Sequence, residues 1–160
     1  MNELLRDLPG QGVVIYHVSA EIILSLRHRV LRPGLPPETA RFPGDERDAT
    51  WHVAAFPPGP HGDEGPVISC ASFFDCPYRE SNGWQLRGMC TDPSYRGFGI
   101  SRILLEVAAQ TIVADSGVRL FWCNARMLAI GFYQKQGWKV DSEEFDIPTA
   151  GLHKKMYKRY

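Results

Sequence analysis

Residues 91–100 of this chain read Thr91-Asp92-Pro93-Ser94-Tyr95-Arg96-Gly97-Phe98-Gly99-Ile100. A short apolar stretch ends just before them and a long amphipathic segment follows, so the glycines lie between a predicted strand and a predicted helix. The first N–H groups of a helix have no partner within the helix and lie at the positive end of its dipole. The order therefore predicts an anion-binding loop that suits a phosphorylated ligand.

Two common nucleotide-binding loops do not match this stretch. A Walker A loop requires Lys followed by Ser or Thr after its last glycine, whereas Gly99 precedes Ile100 and Ser101. The dinucleotide fingerprint requires a third glycine, and Arg102 stands at that position. The phosphorylated ligand must therefore be identified from other residues.

Periodicity outside the loop predicts alternating strands and helices. Apolar residues at helical spacing predict three helices: one that begins after Ser19, one over 100–112 and one over 129–136. Gly137 is expected at the C′ position that ends the third. Residues 33–48 are predicted as a loop, with a short helix near 37–39 as an alternative, and residues 57–66 as an exposed connection. β-branched and aromatic runs predict strands at 13–18, 51–56, 67–74, 84–91, 120–123, 138–140 and 152–157. This order gives a mixed sheet with helices on both faces.

Composition limits the class of protein. The 160 residues suit one domain spanning 1–160, with a core over about 12–157. Eighteen basic and eighteen acidic side chains cancel, so no global charge favours nucleic acid or a membrane surface. We expect no signal peptide and no spanning segment. The four cysteines contain no Cys-x-x-Cys pair, which favours reduced thiols in a cytoplasmic protein over a disulfide framework or a metal site.

Two motifs together resemble the GNAT superfamily of N-acetyltransferases. The segment 96–101 resembles the acetyl-CoA loop Gln/Arg-x-x-Gly-x-Gly/Ala, with Ser101 at the last small position. Downstream, Ala129, Tyr133 and Gly137-Trp138 resemble the family signature Ala-x-x-x-Tyr-x-x-x-Gly-Phe, with Trp in place of Phe. The resemblance implies an α+β fold whose central sheet of six to seven strands is mixed and mostly antiparallel.

The resemblance also implies acetyl-CoA as co-substrate and no metal. A bulge of the 84–91 strand near Met89-Cys90-Thr91, as in the family, would free backbone groups for the pantetheine arm. The family asparagine would fall at Arg126, so either Asn124 or Arg126 is expected to make its contact. The implied cofactor-binding residues are Met89, Cys90, Thr91, Arg96, Gly97, Phe98, Gly99, Ile100, Ser101, Asn124, Arg126 and Ala129.

By the same resemblance, Tyr133 is the expected catalytic residue. A phenol near the thioester sulfur donates a proton to the departing thiolate while a primary amine attacks directly in a ternary complex. The amine would belong to a small molecule or a peptide, and the protein would be a monomer or a homodimer. The 84–91 strand lacks the glutamate that often serves as base, which leaves Glu80, Asp75, His52 and His153 as candidates by residue type.

The acceptor side and the competing functions remain open. Acceptor specificity is expected in the first helix, in 33–48 and in 146–151, with Asp45 and Glu46 as carboxylates that suit a cationic amine. One alternative is a non-catalytic acyl-CoA-binding domain, and another is a hydrolase that uses Cys123 or Cys90. Aromatic residues that suit an acceptor pocket are Phe42, Trp51, Phe73, Phe74 and Trp84.

Overall fold

A single nine-stranded sheet organises the structure, a computed structural model that describes residues 2–6, 12–58 and 65–160. In spatial order the strands run β1-β2-β3-β4-β5-β6-β9-β7, and β8 also pairs with β9. Only β5 and β6 pair in parallel among these strands. The strands are β1 (Asn2–Arg6), β2 (Val14–Val18), β3 (Trp51–Phe56), β4 (Ser69–Asp75), β5 (Trp84–Thr91), β6 (Leu120–Arg126), β7 (Lys139–Val140), β8 (Phe145–Ile147) and β9 (Gly151–Arg159).

Three helices cover the two faces of this sheet. Helix α1 (Ala20–Leu31) packs Ile23 and Leu26 on one face. Helices α2 (Ile100–Ser116) and α3 (Ile130–Lys135) pack on the opposite face. Because burying both faces removes apolar surface from water, each helix stabilises the layer beneath it. The predicted mixed, mostly antiparallel sheet with helices on both faces is confirmed.

The strand count and some boundaries differ from the sequence prediction. Strands β1 and β8 were not predicted; β8 is a three-residue strand in a tight hairpin with β9, in which Thr149 and Gly151 have φ of 66° and 82°. Strand β6 continues through Arg126 because its polar residues stay in register with β9 although the apolar pattern stops at Cys123. Most of the predicted connection 57–66 lies outside the described residues.

The crossover from β5 to β6 positions the site. Helix α2 makes this connection, and the two strands pair only at Trp84–Phe121, Gln85–Trp122 and Leu86–Cys123. Both strands then continue beyond their last pair, so they diverge and open a cleft in the middle of the sheet. None of the helices in the described part of the chain has the length and apolar character that a membrane span requires.

Candidate active site

The cleft between β5 and β6 leads into a cavity of about 540 Å³. Strand β5 contributes residues 85–89 to its wall, and β6 contributes residues 123–126. The end of α1, Phe42 and the β8–β9 hairpin form the other sides. The first helix and the segments 33–48 and 146–151, where acceptor specificity is expected, thus each contribute to the cavity wall through Leu31, Phe42, Ile147 and Ala150.

The glycine-rich loop forms an uncapped helix N-terminus beside this cleft. Gly97 and Gly99 have φ of 85° and 79°, a left-handed conformation that residues with a side chain adopt only with strain. Gly99 is the N-cap of α2, and within the described residues no side chain caps the helix there. The first backbone N–H groups of α2 thus remain available for an anion, as an anion-binding loop requires.

Two side-chain contacts fix this loop against the sheet. The hydroxyls of Ser101 and Thr91 lie 2.6 Å apart, and Thr91 also contacts the Ser69 hydroxyl at 2.8 Å. Arg96 donates through Nε to the Thr91 carbonyl at 3.3 Å. The Ser101 hydroxyl is engaged with strand β5, so an anion at the loop would rely mainly on its backbone N–H. Phe98 is exposed, whereas Ile100 is buried in the core.

Strand β5 contains a bulge at Gly88 and Met89, which begins one residue before the predicted positions 89–91. In the register of the two strands, Cys70 lies opposite Cys90 and Ser72 lies opposite Arg87, so β5 has one residue more than β4 between these positions. Gly88 has φ of 62°, and a Cβ there would lie 2.8 Å from Arg27 Nε. The bulge therefore requires glycine, both for its conformation and for the close approach of Arg27.

Tyr133 is fixed in the cavity wall by the end of α3. Trp138 N–H donates to the Tyr133 carbonyl at 3.1 Å and Gly137 N–H to Gln134 at 3.0 Å, which is a Schellman motif. The Tyr133 and Trp138 rings pack at 5.3 Å between centroids. The Tyr133 hydroxyl donates to Met89 Sδ at 3.8 Å. The Ala-x-x-x-Tyr-x-x-x-Gly-Trp pattern thus encodes the turn that orients this phenol.

Burial keeps the Tyr133 phenol protonated. Desolvation raises its pKa well above the ordinary value of 10.0, with smaller contributions from Cys123 and Tyr160. A buried phenol that retains its proton is suited to act as a general acid. Burial likewise raises the pKa of the Cys123 thiol, which disfavours the thiolate that a cysteine-dependent hydrolase would need.

Asn124 and Arg126 both line the cavity, on the face of β6 opposite the α2 core. The Asn124 Oδ1 atom is buried and has no hydrogen-bond partner among the described residues. Arg126 donates through Nη2 to the Leu31 carbonyl at 3.4 Å, at the end of α1. Ala129 also lines the cavity, from the short turn that precedes α3.

The structure separates the candidate bases. His52 is buried away from the cavity, with Nδ1 2.7 Å from the Ser72 hydroxyl and Nε2 2.9 Å from the Asp45 carbonyl. His153 lines the cavity, and its Nδ1 lies 2.6 Å from the Gly151 carbonyl. Asp75 and Glu80 are exposed and do not line the cavity.

The carboxylate expected to attract a cationic amine has another role. Asp45 accepts from Arg27 Nη1 at 2.7 Å, and both side chains are fully buried. Arg27 also donates to the Ser72 hydroxyl at 2.6 Å and lies over the Phe42 ring. Glu46 is exposed and does not line the cavity. Phe42 lines the cavity, unlike the other predicted aromatic residues Trp51, Phe73, Phe74 and Trp84.

Sequence reasoning missed the role of Arg32. This residue follows the last apolar position of the predicted first helix and precedes the predicted 33–48 loop, and its side chain lines the cavity with Arg87 and Arg126. The available signal was the spacing of Arg27, Arg29 and Arg32 in and just after α1, which does not show which of them faces the cleft.

Comparisons with known proteins agree with this geometry. Residues 60–140 match the family model described as an acetyltransferase (GNAT) domain. The uncharacterized N-acetyltransferase YitI of Bacillus subtilis strain 168 is 37% identical over 144 residues, which cover 88% of this chain and 92% of that protein.

Solved structures show the same fold at low sequence identity. A NatC complex bound to Gag peptide and CoA matches with a TM-score of 0.72 at 15% identity, covering 92% of this chain and 98% of that chain. An aminoglycoside 6'-N-acetyltransferase complexed with coenzyme A matches with a TM-score of 0.68 at 15% identity, covering 91% and 96%. The chain therefore belongs to the GNAT superfamily of acetyltransferases and is an acyltransferase.

Proposed function

We propose that this protein transfers an acetyl group from acetyl-CoA to a primary amine by direct attack in a ternary complex. The observation that carries the proposal is the position of Tyr133, a buried, protonated phenol against Met89 of the bulged strand, in the wall of the cleft. An uncapped α2 N-terminus adjoins the same strands. An acid, an anion-binding loop and an acceptor cavity thus lie together at the cleft between β5 and β6.

The residues present fit coenzyme A at this cleft. The backbone N–H groups of 97–101 suit its pyrophosphate, with Arg96 adding a charge. The unpartnered Asn124 Oδ1 suits an amide N–H of the pantetheine arm, which favours Asn124 over Arg126 for the asparagine contact. When bound, acetyl-CoA supplies an acetyl thioester with an electrophilic carbonyl carbon.

Tyr133 and His153 would complete the proton transfers. The amide C–N bond forms as the thioester C–S bond breaks, so the departing sulfur takes the Tyr133 proton and the amine loses one. We propose that His153 accepts it: a carbonyl only accepts, so Nδ1 carries the ring proton toward Gly151 and Nε2 keeps a lone pair.

The direct test measures free CoA release across amino acids, aminoglycosides, polyamines and peptide N-termini, together with thermal stability against acetyl-CoA. We expect acetyl-CoA to raise the melting temperature and at least one amine class to be acetylated. Stabilisation without release from any amine would instead support a non-catalytic acyl-CoA-binding domain. No stabilisation at millimolar acetyl-CoA would contradict the proposal.

Gly97→Ala should weaken acetyl-CoA binding, on the order of 10-fold in KM, because a methyl group would occupy the surface where the backbone meets a phosphate. Gly117→Ala is a matched control at the other end of α2. Both glycines have left-handed φ, 85° and 72°, and open space around an added Cβ. Both variants should lose similar stability, and only Gly97→Ala should change the KM; equal KM effects would argue against the loop.

His153→Gln should lower kcat by about 100-fold, because glutamine cannot accept the proton of the amine. His28→Gln is the control, since His28 also bonds a carbonyl, that of Leu35 at 2.7 Å, but does not line the cavity. The measurement is steady-state CoA release at saturating acetyl-CoA. A His153→Gln enzyme with the turnover of the His28→Gln enzyme would remove His153 from the mechanism.

A further inference from the structure

The acceptor side of the cavity has an unbalanced positive charge. Three arginines line it from three elements: Arg32 after α1, Arg87 on β5 and Arg126 on β6. No Asp or Glu is found among the described residues that line it. A cationic amine alone would therefore meet repulsion there, contrary to the expectation based on Asp45 and Glu46.

None of these three guanidinium groups forms an ion pair in the described part of the chain. The Nη1 atom of Arg32 is buried without any hydrogen-bond partner there. Arg87 reaches the Pro43 carbonyl and Arg126 the Leu31 carbonyl, each only at 3.4 Å. Most of their hydrogen-bonding capacity is thus left for a ligand.

Two of the three arginines lie over one aromatic ring, that of Phe42. The Cζ atoms of Arg32 and Arg87 lie 5.6 Å and 5.0 Å from the centroid of Phe42. Arg27 lies closer, at 4.2 Å, but Asp45 balances its charge. Burial, and then repulsion from Arg126 and Arg27, lower the pKa of Arg32. Leaving charges unpaired in this setting is costly, so an anionic partner would stabilise them.

We propose that the acceptor amine carries an anionic group, a carboxylate at its other end, which Arg32, Arg87 and Arg126 bind while the amine faces the thioester. This inference rests on the proposed acetyl transfer and names its substrate class. The coenzyme A phosphates are assigned to the α2 N-terminus, so they leave these arginines free. Arg126 accordingly acts as an acceptor-binding residue, and Asn124 makes the cofactor contact.

The test compares matched pairs of amines at saturating acetyl-CoA. Each pair is an amino acid and its amide, with kcat/KM expressed per unprotonated amine because the two amines differ in basicity. We expect the acid to be preferred by roughly 10- to 100-fold, as charge-assisted hydrogen bonds typically contribute. ω-Amino acids test the distance between the two groups, and an amino sugar 6-phosphate against the free amino sugar tests whether phosphate is the preferred anion.

Arg32→Gln and Arg87→Gln should each bring the ratio of kcat/KM for the acid to kcat/KM for the amide toward one, without changing the acetyl-CoA KM. Arg159→Gln is the matched control, since Arg159 is exposed on β9 and does not line the cavity. Thermal stability verifies folding, and we expect no loss, because each substitution removes an unpaired charge from the cluster.

Several outcomes would overturn the inference while the acetyl transfer stands. Amides acetylated as well as acids would do so, as would ratios unaffected by Arg32→Gln and Arg87→Gln. A preference for succinyl-CoA with the amide acceptor would place the carboxylate on the acyl group instead. If no amine releases CoA, the acetyl transfer fails, and the acid and its amide are compared as thermal stabilisers of the CoA-bound protein; stabilisation by the acid alone would still support the arginine site.

Discussion

Tyr133→Phe should reduce kcat by about 100- to 1,000-fold and leave acetyl-CoA binding nearly unchanged. The substitution removes one oxygen, whose described partner is Met89 Sδ at 3.8 Å, and retains the ring packing against Trp138. Stability should therefore change little. Because the departing thiolate would have to leave without a proton donor, the loss falls on the chemical step.

The pH profile gives a second readout for the same residue. The neutral phenol is the active form, and activity from it would be lost as the pH rises through the pKa of Tyr133. Since burial raises that pKa, activity should not fall as the pH passes 10, where an ordinary phenol deprotonates. Tyr157→Phe, outside the cavity lining, is the control. A Tyr133→Phe enzyme with the turnover of this control would exclude the phenol as acid.

Asp45→Asn should destabilise the fold by about 3–5 kcal/mol, because it leaves the buried Arg27 guanidinium without a counter-charge. For a chain of this length, the melting temperature should fall by roughly 6–20 °C. Asparagine retains the shape, and the residue still accepts from the Phe42 N–H, which Asp45 Oδ2 contacts at 2.8 Å. The loss of stability thus reports the lost charge together with a buried amide NH2 at the position of Oδ1, which has no hydrogen-bond partner among the described residues.

Thermal and urea unfolding measure this effect, with Asp48→Asn as the control on the same loop. Asp48 is exposed, so its substitution should stay within about 0.5 kcal/mol. The double variant Arg27→Met, Asp45→Leu removes both charges and should recover much of the stability lost in Asp45→Asn. Equal stabilities of Asp45→Asn and Asp48→Asn would show that the ion pair contributes nothing.

Much of the cofactor side could be predicted because its signals are local. A left-handed turn requires glycine at 97 and 99, and the Schellman motif links Tyr133 to Gly137 and Trp138 within six residues. Such patterns depend on backbone conformation over a few positions, which one sequence displays directly. The residue roles on this side stay predictions until the variants are measured.

The acceptor side resisted prediction because its residues meet only through tertiary structure. Asp45 is 18 residues from Arg27, and its carboxylate could equally have faced an amine. Arg32, Arg87 and Arg126 come from three distant segments, and their shared cavity depends on where β5 and β6 separate. Strand β6 was predicted too short for the same reason, since its polar end faces the cavity. The cytoplasmic location and the oligomeric state stay predictions from composition and resemblance.

The short pairing between β5 and β6 divides the sheet into two halves that share few backbone hydrogen bonds. One half runs from β1 to β5 and the other contains β6 to β9, and within the sheet only three residue pairs, all between β5 and β6, join them in the described part of the chain. A ligand lying in the cleft would contact both halves and would add contacts between them that are lost when it leaves. Substrate occupancy and the rigidity of the whole sheet are thereby coupled, so amide protons along both strands should exchange more slowly when the cleft is filled.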